Sequence, residues 1–180
     1  MNFCSNCGSN QLEYRIPKGD NRPRQVCSNC HMIHYSNPKI VAGCLPIWEN
    51  QVLLCKRAIE PCRGLWNVPA GYLENGETAE EGAIREVWEE AEAKVDILGV
   101  LAVYSLPHVN QVYIHFLAKL QSLDFGVGVE SLDTQLFLEK DVPWDTIAFT
   151  SSSFALKKYF KDRQNGLQQA HIGAYSFNKK

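Results

Sequence analysis

Two cysteine pairs, Cys4-x-x-Cys7 and Cys27-x-x-Cys30, restrict the start of this chain more than any other feature. Their spacing is that of a four-thiolate zinc site made from two knuckles, each turning sharply enough to aim both sulfurs at one ion. Gly8, directly after Cys7, can supply the positive φ that such a turn needs. A Cys4 tetrahedron has no open coordination position, so the Zn2+ is expected to be structural and to supply folding energy that a segment this short cannot draw from its core. His31 and His34 lie close enough in sequence to compete as ligands, but four thiolates already complete the shell. Between the knuckles, residues 11–16 and 24–26 read as short strands on either side of the turn-rich run from Pro17 to Pro23. A small zinc ribbon over residues 1–36 is the expected result.

The other three cysteines, Cys44, Cys55 and Cys62, are scattered, and seven is an odd number. With neither a basic start nor an apolar stretch at the N-terminus, a disulfide framework is not expected; these three read as small hydrophobes kept reduced, and the cytoplasm is the expected location. No apolar run reaches the roughly 18 residues that span a bilayer. Apolar residues make up 45% and charged residues 21% of the 180, enough for one packed domain beside the ribbon. The net charge of −2 gives no global field to recruit nucleic acid, although residues 1–40 carry five Arg/Lys against two Asp/Glu.

After a linker at His34-Tyr35-Ser36-Asn37-Pro38, periodicity replaces turn signals. Residues 39–48 and 51–57 read as strands joined at Glu49-Asn50, with a shorter strand at 65–69. Residues 95–106 and 111–120 flank a turn at Pro107-His108-Val109-Asn110, and another strand follows at 131–138. Thr78-x-x-Glu81 forms a capping box for a helix running to about Ala91, and Thr150-Ser151-Ser152-Ser153 can cap a second helix over 154–162. Mixed strands with two helices predict an α/β sandwich over residues 37–165. From Gln164 onward no pattern is evident, so residues 166–180 read as a loose C-terminal tail.

The first helix carries the chemistry. At about 100° per residue, Arg85, Glu86, Glu89 and Glu90 share one arc, while Ala83, Ile84, Val87, Trp88 and Ala91 fill another. The second arc is expected to pack. The first concentrates three carboxylates, and Glu86 and Glu90 at i,i+4 repel each other unless a cation lies between them. Hard oxygen ligands suit Mg2+ or Mn2+, which bind through few carboxylates and the phosphate oxygens of a substrate.

Read from Gly71, the order Gly71-x5-Glu77-x7-Arg85-Glu86-Val87-x-Glu89-Glu90 resembles the signature box of the Nudix hydrolases, and Gly64-Leu65-Trp66-Asn67-Val68-Pro69-Ala70 resembles the approach to it. The resemblance implies an α+β fold: a Nudix α/β/α sandwich with a mixed sheet, preceded here by the Cys4 ribbon. It implies metal-dependent hydrolysis of a pyrophosphate bond, with Gly71 (or Ala70) through its carbonyl, Glu86, Glu89 and Glu90 holding Mg2+ or Mn2+. Glu89 or Glu130 would activate water, and Arg85 would orient a carboxylate. One position departs from the family: Glu92 stands where the box usually closes with Gly, which should alter the helix terminus and not the metal site.

Segments such as Ile33-His34-Tyr35-x-Asn37-Pro38-Lys39, Leu54-Cys55-Lys56-Arg57 and Pro69-Ala70-Gly71-Tyr72-Leu73-Glu74 look like the subgroup related to the ADP-ribose and FAD pyrophosphatases. The implied substrate is a nucleoside diphosphate derivative such as ADP-ribose or FAD, releasing AMP, and a homodimer is the family's usual assembly. NADH and capped RNA are the alternative substrates; the Ser-Gln-Pro-Trp-Pro-Phe pattern of NADH pyrophosphatases is absent from the sequence. A nucleic-acid-binding role for the ribbon is the other alternative, weakened by its sparse aromatic and basic residues. Lys56 and Arg57 are candidates for phosphate, Trp66, Tyr72 and Tyr104 for stacking on a base, and Pro107 and Tyr113 lie near positions tied to substrate class.

Overall fold

Sulfur stands in for a hydrophobic core in the first of two units, Met1–Asn37. In the computed structural model, which describes residues 1–175, this unit holds three antiparallel strands in sequential order: β1 (Leu12–Arg15), β2 (Arg24–Cys27) and β3 (Ile33–His34). Cys4, Val26 and Cys27 are buried, whereas Phe3, Tyr14, Ile16, Met32 and Tyr35 are exposed. A sheet with so little apolar burial needs another source of folding energy, which a metal held by the four cysteines would provide.

The second unit begins at Pro38. Its strands are β4 (Lys39–Trp48), β5 (Gln51–Arg57), β6 (Trp66–Asn67), β7 (Ala70–Tyr72), β8 (Val95–Leu106), β9 (Gln111–Leu120), β10 (Ser131–Leu138) and β11 (His171–Ala174). Two helices, α1 (Ala79–Ala91) and α2 (Thr150–Gln164), complete it. The main sheet runs β10-β5-β4-β9-β8-β11, with β4–β9 and β8–β11 parallel and the other pairings antiparallel. Each face carries its own core. On one, Leu45, Leu54, Leu101 and Leu117 meet Ala155, Leu156 and Phe160 of α2; on the other, Ala42, Leu53 and Phe116 meet Ala83, Val87 and Ala91 of α1. The result is the expected α/β/α sandwich.

The central strand β4 changes partner along one edge. Val41–Gly43 pair with β7, whereas Ile47 and Trp48 pair with β5. Pro46 falls between the two pairings, where its missing N–H interrupts neither. The expected strand at 65–69 is shorter, β6 on the edge of β5, and an unexpected second short strand, β7, follows it on the edge of β4. This split aims the chain after Pro69 at α1.

Two sequence expectations need correction. The serines before the second helix do not cap it: the helix starts at Thr150 with Phe149 as its N-cap, whose carbonyl accepts from Ser153 N at 3.1 Å. Ser151 and Ser152 are buried within the first turn, and Ser152 Oγ donates to Asn67 Oδ1 at 2.6 Å. The serines thus serve tertiary contact. The supposed loose tail contains β11, which lies parallel to β8 with His171 opposite Ala102 and Ala174 opposite Ser105. No alternation announces it, because His171-Ile172-Gly173-Ala174 leaves Ile172 88% exposed and is held by backbone pairing instead.

Candidate active site

Helix α1 is placed by its caps. Thr78 accepts from Glu81 N and the Glu81 carboxylate accepts from Thr78 N, completing the expected capping box. At the other end Glu92 adopts φ 50° and ψ 26°, and its N–H donates to Trp88 O. This is the left-handed conformation that glycine takes without strain, so Glu92 fills the glycine role with the same backbone geometry.

The buried face of α1 differs from the apolar arc. Glu86 and Glu90 are only 8% and 4% exposed, while Ile84 and Trp88, expected to pack, are 37% and 51% exposed. Rotation toward the carboxylates follows from the segment laid over them by the β4 split. Gly71 of β7 sits directly against the Glu86 carboxylate, where a Cβ would overlap it, and Ala70 N donates to Glu90 Oε1 at 3.1 Å. The glycine of the motif therefore has a steric reason: its backbone must lie on a carboxylate.

Arg85 ties the site together. Its Nε and Nη2 donate to Glu77 at 3.1 and 2.8 Å, Nη1 donates to Glu86 Oε1 at 2.7 Å and Glu89 Oε2 at 3.0 Å, and Nη2 also reaches Tyr72 O at 3.1 Å. The fork on Glu77 is bidentate. Hydrogen bonds from Arg85 and from Glu74 N hold the Glu77 carboxyl down at about 2. Arg85 thus orients three carboxylates, Glu77, Glu86 and Glu89.

Burial acts the other way on the ligands themselves. It pushes the Glu90 carboxyl up to about 8 against the opposing bond from Ala70 N, with the nearby Glu86 charge adding to the rise. Burial also raises Glu86, in spite of the Arg85 hydrogen bond. Two inward carboxylates that burial drives toward protonation, beside a backbone turn packed on them, are a donor set suited to a divalent cation, which would restore the charged form. The residues fit the group: Glu86, Glu90 and the Gly71 segment from the buried side, Glu89 from the open side.

Gly71, Glu86 and Glu89 open onto a cleft of about 800 Å³, also lined by Glu130, which the loop before β10 brings to it. Arg57 and Tyr72 line the same cleft. Arg57 Nε donates to Pro61 O at 2.9 Å and its guanidinium lies over the Phe149 ring at 5.1 Å, which fixes the side chain in place. Lys56 does not line the cleft; it lies over the Trp66 ring on the sheet. Trp66 and Tyr104 are buried core residues, packed on Phe137 and Phe154 respectively. A chain of hydrogen bonds, from Tyr113 Oη to Gln111 Oε1 at 3.2 Å and from Gln111 Nε2 to Tyr72 Oη at 2.9 Å, braces one wall. Gln111, His108, Phe149 and Tyr175 had no signal as site residues, since only the strand pairing and the second helix bring them to the cleft.

The ribbon cysteines converge as expected. Their four sulfurs all lie within 4.8 Å of one another, with Cys4–Cys30 and Cys7–Cys27 at 3.6 Å. Zn–S bonds of about 2.3 Å in a tetrahedron place sulfurs about 3.8 Å apart, so the set fits zinc. Both knuckles read Cys-Ser-Asn-Cys, and each asparagine serves the other pair: Asn6 Nδ2 donates to Cys30 Sγ and Asn29 Nδ2 to Cys7 Sγ, both at 3.6 Å. His34 Nε2 approaches Cys4 Sγ at 3.3 Å, the place of a thiolate neighbour and not of a fifth ligand.

Family comparisons agree with this geometry. Residues 2–36 match the model described as "Nudix N-terminal" and residues 37–137 match the "NUDIX domain". An ADP-ribose pyrophosphatase of Methanocaldococcus jannaschii is 36% identical over 115 residues, covering 61% of this chain and 67% of that protein. An NAD-capped RNA hydrolase of Photobacterium profundum is 28% identical over 175 residues, covering 92% of this chain and 62% of its own length. For other NAD-capped RNA hydrolases matched, the chain spans about half of their length. The crystal structure of a NUDIX hydrolase from Nitrosomonas europaea superposes with a TM-score of 0.93 at 53% identity, covering 97% of this chain and 99% of that one. The chain belongs to the Nudix hydrolase family, with a zinc ribbon ahead of its catalytic domain.

Proposed function

We propose that this enzyme hydrolyses the pyrophosphate bond of a nucleoside diphosphate derivative, with ADP-ribose or FAD as substrate and AMP as one product. The observation that carries this reading is the pair of buried carboxylates beside an open cleft, Glu86 packed against Gly71 and Glu90 held by Ala70 N. Glu86, Glu89, Glu90 and the Gly71 carbonyl would hold Mg2+ or Mn2+. The cation, when bound, supplies positive charge against the pyrophosphate oxygens.

The protein's own groups do the rest. Arg85 holds Glu89 at the cleft side, where its carboxylate can take a proton from the attacking water; Glu130 stands on the same cleft as the second candidate for that base. Water adds to one phosphorus, the bridging P–O bond breaks, and the bridging oxygen leaves with the second monophosphate. The pinned Arg57 supplies fixed positive charge along the cleft. No covalent intermediate is needed. Seven cysteines without a disulfide fit a reduced compartment, and the family resemblance supports a cytoplasmic homodimer.

The likeness to NAD-capped RNA hydrolases supports a second substrate class, NADH or NAD-capped RNA. Incubation with Mg2+ and, separately, ADP-ribose, FAD, NADH and NAD-capped RNA distinguishes them by the AMP released from the first three and by the nicotinamide mononucleotide released from the RNA, whose adenosine stays on the chain as a 5′-monophosphate. ADP-ribose or FAD is expected to turn over fastest, and Glu89→Gln to lower kcat at least about a hundredfold. Turnover of NAD-capped RNA alone would replace the first reading with the second.

A further inference from the structure

The C-terminal strand is held in place by pairing and polar contacts more than by apolar burial. Ile172 is 88% exposed, so β11 buries almost no apolar side chain of its own. It is nevertheless held at both ends. His171 Nε2 lies 2.7 Å from Asp162 Oδ2 of α2, and Tyr175 N donates to Ser105 O at 2.9 Å just after the parallel pairing with β8. Between these fixings, Gly173 lies flush on the rings of Phe154 and Tyr104, where a Cβ would come within 2.7 to 2.9 Å of them. What these fixings deliver is Tyr175, which lines the catalytic cleft with its ring 4.9 Å from that of His108.

The wall that Tyr175 joins differs from the carboxylate side. Leu106, Val109, Tyr113 and Phe149 line it, giving an apolar and aromatic surface in the same cleft as Glu86 and Glu89. A pyrophosphate beside the acidic helix leaves the planar base of a nucleotide to be accommodated elsewhere, and aromatic faces are the surfaces that bind a base without selective hydrogen bonding.

We propose that β11 completes the substrate site and that Tyr175, with His108 beside it, is the stacking platform for the nucleobase. The proposal rests on the nucleotide-pyrophosphatase reading. It makes Tyr175 a specificity-determining residue and gives the tail strand its role.

Calorimetric titration of the full chain with AMP and with ribose 5-phosphate tests it. Relative to wild type, Tyr175→Leu, which keeps apolar volume without the ring, should weaken AMP binding about tenfold and leave ribose 5-phosphate unchanged. Tyr175→Phe should bind AMP within about twofold of wild type because the ring is retained. Ile172→Thr, at the outward position of the same strand, should bind as wild type. In turnover, the Tyr175→Leu defect should fall on KM. Unchanged AMP affinity in Tyr175→Leu, equal weakening for ribose 5-phosphate, or an equal loss in Tyr175→Phe would each overturn the platform. Wild type that binds AMP through Tyr175 but hydrolyses none of the pyrophosphates would remove the proposed reaction and leave the platform standing.

Discussion

Glu92 shows how one residue can break a motif without breaking its site. Its backbone adopts φ 50°, the conformation the family's glycine would take, and a non-glycine residue there carries strain of about 1 kcal/mol. Glu92→Gly should therefore raise stability by about 1 kcal/mol, read as a rise in Tm of a few degrees, with kcat unchanged. A fall in Tm would mean that contact of the Glu92 side chain with Gly126 outweighs the strain. Glu77 is the other informative residue. Its carboxyl is held at about 2 by Arg85 and by Glu74 N, below its ordinary 4.5. A depressed carboxyl stabilises the fold fully above pH 4.5 and loses that contribution as pH falls through about 2. Glu77→Gln should thus be less stable than wild type at pH 7, with the gap closing between pH 4.5 and 2 in denaturant midpoints. Parallel pH profiles for the two proteins would show that the Arg85 fork contributes nothing to folding.

At the scale of elements, helix α1 was readable and its orientation was not. The capping box fixed its start, and the carboxylate spacing identified its chemistry. The apolar arc nevertheless misdirected the burial, because Trp88 and Ile84 stand outward while Glu86 and Glu90 turn in. Periodicity assumes that apolar side chains choose the buried face; here the β7 segment, brought down by the partner change of β4, supplies a polar lining that carboxylates can occupy. The serine run before α2 misled for a related reason. Serine signals a cap when its hydroxyl serves its own helix, but Ser152 serves Asn67 across the sheet.

For the whole molecule, the ribbon and the catalytic unit draw stability from different sources. Only four apolar residues, Cys4, Pro17, Val26 and Cys27, two of them zinc-ligand candidates, are buried within Met1–Asn37, whereas the larger unit has an apolar core on each sheet face. Chelation of zinc, or Cys4→Ser with Cys7→Ser, should accelerate amide exchange throughout residues 1–37 and leave the β4, β5 and β9 amides protected. Loss of protection in those central strands as well would show that the catalytic unit needs the ribbon to fold. Locally, the sequence determined the two thiolate knuckles, most strands, the start of α1 and the acidic box, because each depends on contacts within a few residues. Tertiary structure decided which face of α1 is buried, the division of β4 between two partners, and the strand within the tail. It also decided the aromatic wall of the cleft, assembled from Tyr113, Phe149 and Tyr175. Their convergence depends on a parallel pairing of β11 with β8 and on the seating of α2 against the sheet, long-range contacts that leave no period in the chain.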